Sequence, residues 1–478
     1  MLALCVVVPG SVGLGGYGGS AVVYLARPRR MIAVDFDSRA PLYFREGLVT
    51  ADLHSAHYGA RSVTVPAVVA GLDLILREFG TRNWSEVTQP AIEVAEEGFD
   101  VDSEHRRYFE KSAPHFDRQS LESLWPGGVL PNIADRWRQP ELAKLLRRLA
   151  DEGPATFYQG DVARQVVQFL HDRGGILSEE DFHSYRPRID EPVHVRCGGF
   201  DFYTPPPPSG GITSLGIVQT VGQFVASGGI DPMSAAYAHV VSEAMKLCWH
   251  ERSQHLGDLD FVDIPIQWLV SEAAAESRAE RIRNGTTLDV AHNANHSPHT
   301  SNVVAADPEG NVVSITATQG WMYGSHLVVG GMGLVLNHGM SRFDYAPGHP
   351  NSPAPGKRMQ HNMAPMIVVK DGRPAFALGM PGGPKIVSVT AQLAINLTYF
   401  AATPAASIAA PRLHTEGAEP LIVSSHMPES IIAELKTIGH AVLREEDMGG
   451  PVNVLAIDAE SGRMDIASGE STGDVAGL

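Results

Sequence analysis

Residues 300–318, TSNVVAADPEGNVVSITAT, constrain the fold more than any other segment. Thr300–Ala306 and Val312–Thr318 read as strands, and from Val313 to Thr318 apolar and polar side chains alternate with the period of 2 of a half-buried strand. Asp307-Pro308-Glu309-Gly310 between them reads as a turn, with proline at its second position. The strands therefore run antiparallel, and Thr318 returns beside Thr300. Just upstream, Gly285–Pro298 is short of large apolar residues and reads as a mobile loop. A threonine at such a join has a chemical consequence. With the His299–Thr300 bond opened, Thr300 would carry both a hydroxyl nucleophile and a free α-amine. An amine of pKa about 7.7–8.0 suits the role of base for its own hydroxyl at neutral pH.

The rest of the chain fits a layered enzyme. Ser20–Ala26 and Met31–Phe36 form a hairpin closed by Arg27-Pro28-Arg29-Arg30. Residues 64–290 are expected to be mainly helical. Pro66 is placed as a first helical residue, followed by Val69, Leu72, Leu76 and Phe79 at helix spacing before Gly80. Ser178–Asp181 has the form of a capping box. The stretch Ala235–Cys248 puts Tyr237, Val240, Val241, Ala244, Met245 and Cys248 on one buried face. Tyr203–Gly211 (YTPPPPSGG) is expected to be wholly irregular. Strands follow at Gly333–Asn337, Ala364–Val369 and Ala375–Leu378, then Pro381-Gly382-Gly383 opens a helix from Lys385 to Phe400. Strands, a helical middle and strands again make an α/β layered architecture.

Several classes are excluded. Asp and Glu number 54 against 37 Lys and Arg, a formal charge of −17, which is the wrong field for a nucleic-acid partner. Apolar runs fall short of the ~18 residues a membrane helix needs. Cys5, Cys197 and Cys248 lack any CxxC spacing, so neither a disulfide framework nor a structural zinc site is expected. Met1–Val8 is apolar but has no basic start, and does not read as a signal peptide; a cytoplasmic location is the expectation. Gly13–Gly18 spells GxGxxG with Asp35 about twenty residues on, yet AVVYLA after it is strand-like. A glycine turn packed against backbone explains it better than a dinucleotide site. His292, His296 and His299 read as a solvated loop and not a metal triplet. No metal or organic cofactor is implied.

The segments VVVPGSVGLGGYGGSAVVYL, AIEVAEEGFDV, FYQGDVA, TPPPPSGG, HTSNVVAADPEGNVVSITAT, GLVLNHGM, APGKR, NMAPMIVV, GMPGGPKIV and APRLH occur in the order of a known family. On them the chain resembles the γ-glutamyltransferase family of N-terminal-nucleophile hydrolases over nearly its whole length. The resemblance implies a four-layer αββα sandwich and self-cleavage before Thr300. Residues 1–299 would form the large chain and 300–478 the small chain, the two paired as a heterodimer in one αββα unit. It also implies that Thr300 attacks an amide of a small-molecule substrate to give an acyl-enzyme, that Thr318 supports the nucleophile, and that Gly382 and Gly383 supply oxyanion-hole N–H groups.

Against the family pattern, the donor-binding residues depart. Asp37 stands where an arginine holds the donor carboxylate, and Arg342 where an aspartate holds its amine. His361-Asn362 replace a serine pair, and Gly320 replaces an asparagine. Arg39 and Asp344, each two positions on, share a face with the altered positions in extended chain and offer one way to rebuild the pocket. The alternative, favoured by four simultaneous departures, is a site that does not hold a glutamate head group. The expected function is thus a self-processing threonine hydrolase or acyltransferase acting on something other than glutathione. Rivals are a C–C bond hydrolase of an antibiotic (dihydropyrrole carboxylate) pathway, an ordinary γ-glutamyl enzyme, and a binding homologue that never matures. The short Phe343–Lys357 connection predicts an open site without the lid of some members. Met1 starts just after the alanine-rich helix that precedes the family's glycine loop, so either the true start lies upstream or a core-packing helix has been lost.

Overall fold

The computed structural model describes residues 1–49, 57–226, 228–285, 287–288 and 299–469. Its principal strands in chain order begin with β1 (Gly18–Leu25), β2 (Arg30–Asp35), β3 (Arg188–Asp190), β4 (Val193–Cys197) and β5 (Phe200–Thr204). Then come β6 (His299–Ala306), β7 (Val312–Gly320), β8 (Met366–Lys370), β9 (Arg373–Gly379), β10 (Val452–Ile457) and β11 (Met464–Gly469). They make two sheets, ordered β3-β2-β1-β7-β6 and β11-β10-β9-β8-β5-β4. The helices that cover them are α1 (Val68–Phe79), α2 (Trp84–Glu97), α3 (Pro140–Glu152), α4 (Asp161–His171), α5 (Gly211–Val225), α6 (Ala235–His255) and α7 (Lys385–Thr398).

Alternation along the strands dictates the layering. On β1, Val22 and Tyr24 point inward and meet Ile367, Val369, Ala377 and Leu455 of the second sheet. Ala21 and Val23 point the other way, into a core shared with Val68 and Val69 of α1, Leu146 of α3 and Val166 of α4. The outer face of the second sheet packs Phe202, Met366 and Leu378 on Leu215 of α5, Met245 of α6 and Leu393 of α7. Each such burial is worth about 1.5–3 kcal/mol. A one-residue slip would exchange the two faces of a strand, so the register is firmly held. The result is helix, sheet, sheet, helix: the αββα sandwich.

The hairpins at residues 20–37 and 300–318 and the capping box at Ser178, whose side chain and Asp181 bond reciprocally, are as the sequence predicts. Other elements differ. Pro66 lies outside α1, which starts at Val68; its carbonyl accepts the Tyr158 hydroxyl instead. Tyr203 and Thr204 belong to β5 and Gly211 opens α5, leaving only 205–210 irregular. At Gly211 the chain comes so close to Thr204 that a Cβ would meet its Oγ1 at 1.7 Å. Of Gly333–Asn337 only Leu334–Val335 is strand. The helix begun at Ala235 runs on to His255, capped by Ser234. His292 and His296, the side chain of His299 and nearly all of the loop before Thr300 lie outside the described residues.

The glycine-rich turn is followed by strand β1, not by a helix. Its glycines sit against backbone: a Cβ on Gly15 would lie 2.0 Å from the Val335 carbonyl, and one on Gly18 equally close to that of Phe36. Asp35 serves two ion pairs, with Arg188 at 2.9 Å and Arg358 at 3.2 Å. All three cysteines are free, and no helix among the described residues is long and apolar enough to cross a membrane.

Candidate active site

Thr300 is the second residue of β6, at the edge of the first sheet. His299 pairs with Gly320 but Ser301 pairs with Ala317, so β7 carries one extra residue opposite Thr300. Such a bulge re-aims side chains at a strand's end. The Thr300 hydroxyl donates to Thr318 Oγ1 at 3.3 Å, and the Gly320 N–H donates to the same oxygen at 2.9 Å. With both lone pairs of Thr318 engaged, its own proton is directed to Tyr17, whose phenol it hydrogen-bonds. Burial pushes the Tyr17 phenol up to about 12, which keeps it protonated at neutral pH. Sequence reasoning missed Tyr17 because it sits inside the glycine turn, 283 positions before Thr300 in a chain that gives no local hint of the contact.

The Pro381-Gly382-Gly383 loop leaves β9 at the same end of the sandwich. Leu378 accepts from Ser314, and a Cβ on Gly379 would touch the Asn302 amide; the chain therefore climbs toward the level of Thr300 as it leaves the strand. Gly382 and Gly383 have φ of 131° and 60°, and a Cβ on Gly382 would lie 2.5 Å from the Gly449 backbone. Only glycine suits these positions. Among the described residues neither N–H donates to a protein acceptor, and both lie at the N-terminus of α7, where partial positive charge accumulates.

The altered donor-binding positions divide into two groups. Asp37 and His361, both fully buried, form a short ion-pair-type contact through Oδ2 and Nε2. Burial and the neighbouring Asp35 push the Asp37 carboxyl well above the usual range, while burial lowers His361 to about 3. Both shifts favour the uncharged forms of the pair. His361 Nδ1 accepts from the Met363 N–H, which puts its proton on the nitrogen facing Asp37. Arg342 is 5% exposed and its charge is felt by Tyr17, His57, His338, His361 and Arg252. Asn362 Oδ1 and the His361 carbonyl both accept from Arg252, a further residue that no motif marks.

Gly320 has φ of 99°, and a Cβ there would lie 2.2 Å from the His338 ring. The imidazole fills the space a longer residue at 320 would use, and its Nε2 accepts the Trp321 N–H. Arg39 and Asp344 have other partners among the described residues. Arg39 makes a backbone bridge with Arg358 and faces Arg358, Tyr185 and Asp258. Asp344 caps its own turn through the Ala346 N–H and approaches His349 at 3.7 Å.

Burial holds His326 and His361 at about 3 and His338 well below its ordinary value. The unfolded chain takes up these protons near pH 6.5, so the stabilisation is full above that pH and is lost as pH falls toward 3. Asp37 acts in the opposite sense, its contribution being lost as pH rises through its raised folded value. Through the three histidines, lowering the pH from 7 to 5 is expected to reduce the unfolding free energy. Urea titration at the two pH values measures this; an unchanged midpoint would contradict the neutral assignment.

The fold has close counterparts. Cephalosporin acylase from Bacillus halodurans superposes with a TM-score of 0.88 at 24% identity, covering 99% of this chain and 90% of that one. The Helicobacter pylori γ-glutamyltranspeptidase structure gives 0.55 at 28% identity over 59% of this chain and 82% of its own. This architecture, with a threonine at the start of an inner-sheet strand, is that of an N-terminal-nucleophile hydrolase. The γ-glutamyltranspeptidase family profile matches residues 1–476. Acylase ACY 1 proenzyme of Pseudomonas sp. (strain V22) is 32% identical over 96% of this chain and 85% of its own length. The glutathione hydrolase proenzyme of Pseudomonas aeruginosa PAO1 is 30% identical over 96% and 86%. The chain belongs to the γ-glutamyltranspeptidase family and is an enzyme of its acyltransferase and amidohydrolase type.

Proposed function

We propose that the chain cuts itself between His299 and Thr300 and then uses Thr300 as an acyl-accepting nucleophile. The observation that carries this reading is the Thr300 hydroxyl, held 3.3 Å from Thr318 Oγ1 at the bulge. In maturation Thr300 Oγ attacks the His299 carbonyl carbon. The C–N bond breaks as the acyl group moves to oxygen, and water then cleaves the ester to leave a His299 carboxylate and a free Thr300 amine. In turnover that amine takes the hydroxyl proton as Oγ attacks the substrate amide, and passes it to the leaving amine. Gly382 and Gly383 N–H groups receive the developing oxyanion. Water or a second amine releases the acyl group.

The donor we infer is an acyl group bearing a carboxylate and no free α-amine. Arg342 stands where the family's amine-binding aspartate belongs, Asp37 is pushed toward its uncharged form against His361, and the space at Gly320 is filled by His338. A cationic pocket suits a carboxylate and repels an ammonium. The relatives include acylases as well as glutathione hydrolases, so a donor other than glutathione has precedent among them. Amino-terminal sequencing of the mature protein tests the maturation step, with one chain expected to begin Thr-Ser-Asn-Val. Mass spectrometry of a trapped acyl-enzyme tests the second, with the adduct expected on Thr300; an adduct elsewhere would overturn the mechanism.

Tyr17 is a positioning residue in this scheme. Removing its hydroxyl forfeits one hydrogen bond to Thr318, about 1 kcal/mol, so Tyr17→Phe should lower kcat about fivefold and leave KM unchanged. A change confined to KM would place Tyr17 in substrate binding instead.

A further inference from the structure

We infer that His239, Glu243 and His440 form a binding site for a divalent transition metal of the zinc type, apart from the Thr300 centre. His239 and Glu243 are one turn apart on α6 and share a face. His440 follows the helix α8 (Glu429–Ile438), with Gly439 at φ 120° turning the chain toward α6. His239 Nδ1 lies 2.9 Å from His440 Nε2, which is 3.9 Å from Glu243 Oε1. One ligand atom from each of the three residues lies within 4.8 Å of the others. Four-coordinate zinc with bonds of about 2.0–2.2 Å spaces its nitrogen and oxygen ligands about 3.3 Å apart, so small side-chain rotations close the set.

Two further features point to a cation. Glu419 Oε1 lies 2.8 Å from His440 Nδ1. That carboxylate fixes the tautomer, with the proton on Nδ1 and the lone pair of Nε2 turned toward His239 and Glu243, the arrangement that orients metal-bound histidines. The charges also fail to balance. Glu243 and Glu419 share the single ammonium of Lys246, at 2.8 and 2.7 Å, which leaves a net charge of one carboxylate among largely buried groups. A divalent cation reverses that deficit. On binding, the His239 proton moves from Nδ1 to Nε2, and the His239–His440 hydrogen bond is exchanged for bonds from His239 Nδ1 and His440 Nε2 to the metal. His239 is only half-buried, whereas Glu243 is 0% and His440 3% exposed. Its side is therefore the entry route.

The test is a Co²⁺ titration of the full-length protein after chelator treatment and desalting, followed by Zn²⁺ competition. One equivalent of Co²⁺ should bind with the intense visible absorption of a tetrahedral site and be displaced by Zn²⁺. Both signals should disappear in His239→Ala and His440→Ala, and Glu419→Gln should weaken binding about 10–100-fold. Thr300→Ala should load like the wild type, which separates this inference from the proposed catalysis. Near-UV circular dichroism checks folding; should the buried His440 variant unfold, the half-buried His239 variant decides. A weak octahedral spectrum, no bound equivalent, or an equivalent retained in His239→Ala would overturn the site.

Discussion

Thr300→Ala protein is expected to migrate as one 478-residue polypeptide, where the wild type gives two, corresponding to residues 1–299 and 300–478. The substitution removes the only atom in the scheme that attacks the His299 carbonyl, so processing should stop altogether and turnover with it. It leaves the sandwich intact, because Thr300 gives up polar contacts, among them its hydroxyl bond to Thr318, and no large apolar surface. Thr300→Ser keeps the hydroxyl but loses the methyl that restricts χ1, and should mature more slowly while reaching the same two bands. Two bands in Thr300→Ala, with the second beginning Ala-Ser-Asn-Val, would mean that another nucleophile or a contaminating protease opens the chain. The binding-homologue alternative predicts a single band for both proteins, and wild-type electrophoresis alone disposes of it.

Glutaryl-p-nitroanilide should be cleaved far faster than γ-glutamyl-p-nitroanilide, the two donors differing only in the α-ammonium. That group would enter a pocket already under the field of Arg342, with the neighbouring Asp37 carboxyl against His361 and pushed toward its uncharged form. An unpaired charge forced into a buried site costs about 3–5 kcal/mol, which corresponds to roughly 10²–10⁴ in kcat/KM. Arg342→Gln should erase most of that preference by slowing the glutaryl substrate, with little change for the glutamyl one. Equal rates on both donors, or a preference for γ-glutamyl, would restore the ordinary γ-glutamyl reading and remove the role given to Arg342.

The parts of the site that could be read from the sequence are those set by local spacing. The turn at Asp307–Gly310 returns one strand beside another, so the approach of Thr318 to Thr300 follows from period and turn chemistry alone. The glycine pair before Lys385 reads on its own as an ordinary turn opening a helix, and only the family resemblance gives it a part in the site. What could not be read depends on partners far along the chain. Asp37 looks like a misplaced charge until His361, 324 positions later, is found against it. Gly320 looks like a lost side chain until the His338 ring is seen in its place. Arg39 and Asp344 share a face with the altered positions in an idealised strand, but a bridge to Arg358 and a local turn give them other partners. The boundaries that moved, at Pro66 and Tyr203–Gly211, did so where a tertiary contact overrode a local preference.

The strand order has a consequence for what a nick at residue 299 does to the molecule. In the first sheet β1 is hydrogen-bonded to β7, and in the second β5 to β8, so sequence from both sides of the cut is woven into each layer. The two pieces have no interface that can simply open; parting them tears both sheets and is global unfolding. The melting temperature of the mature enzyme should accordingly rise with its concentration, because unfolding releases two chains, while that of the uncut Thr300→Ala chain should not. Once denatured, the pieces face a two-body search that the intact chain never met, so a cut made before folding is complete would be a permanent loss.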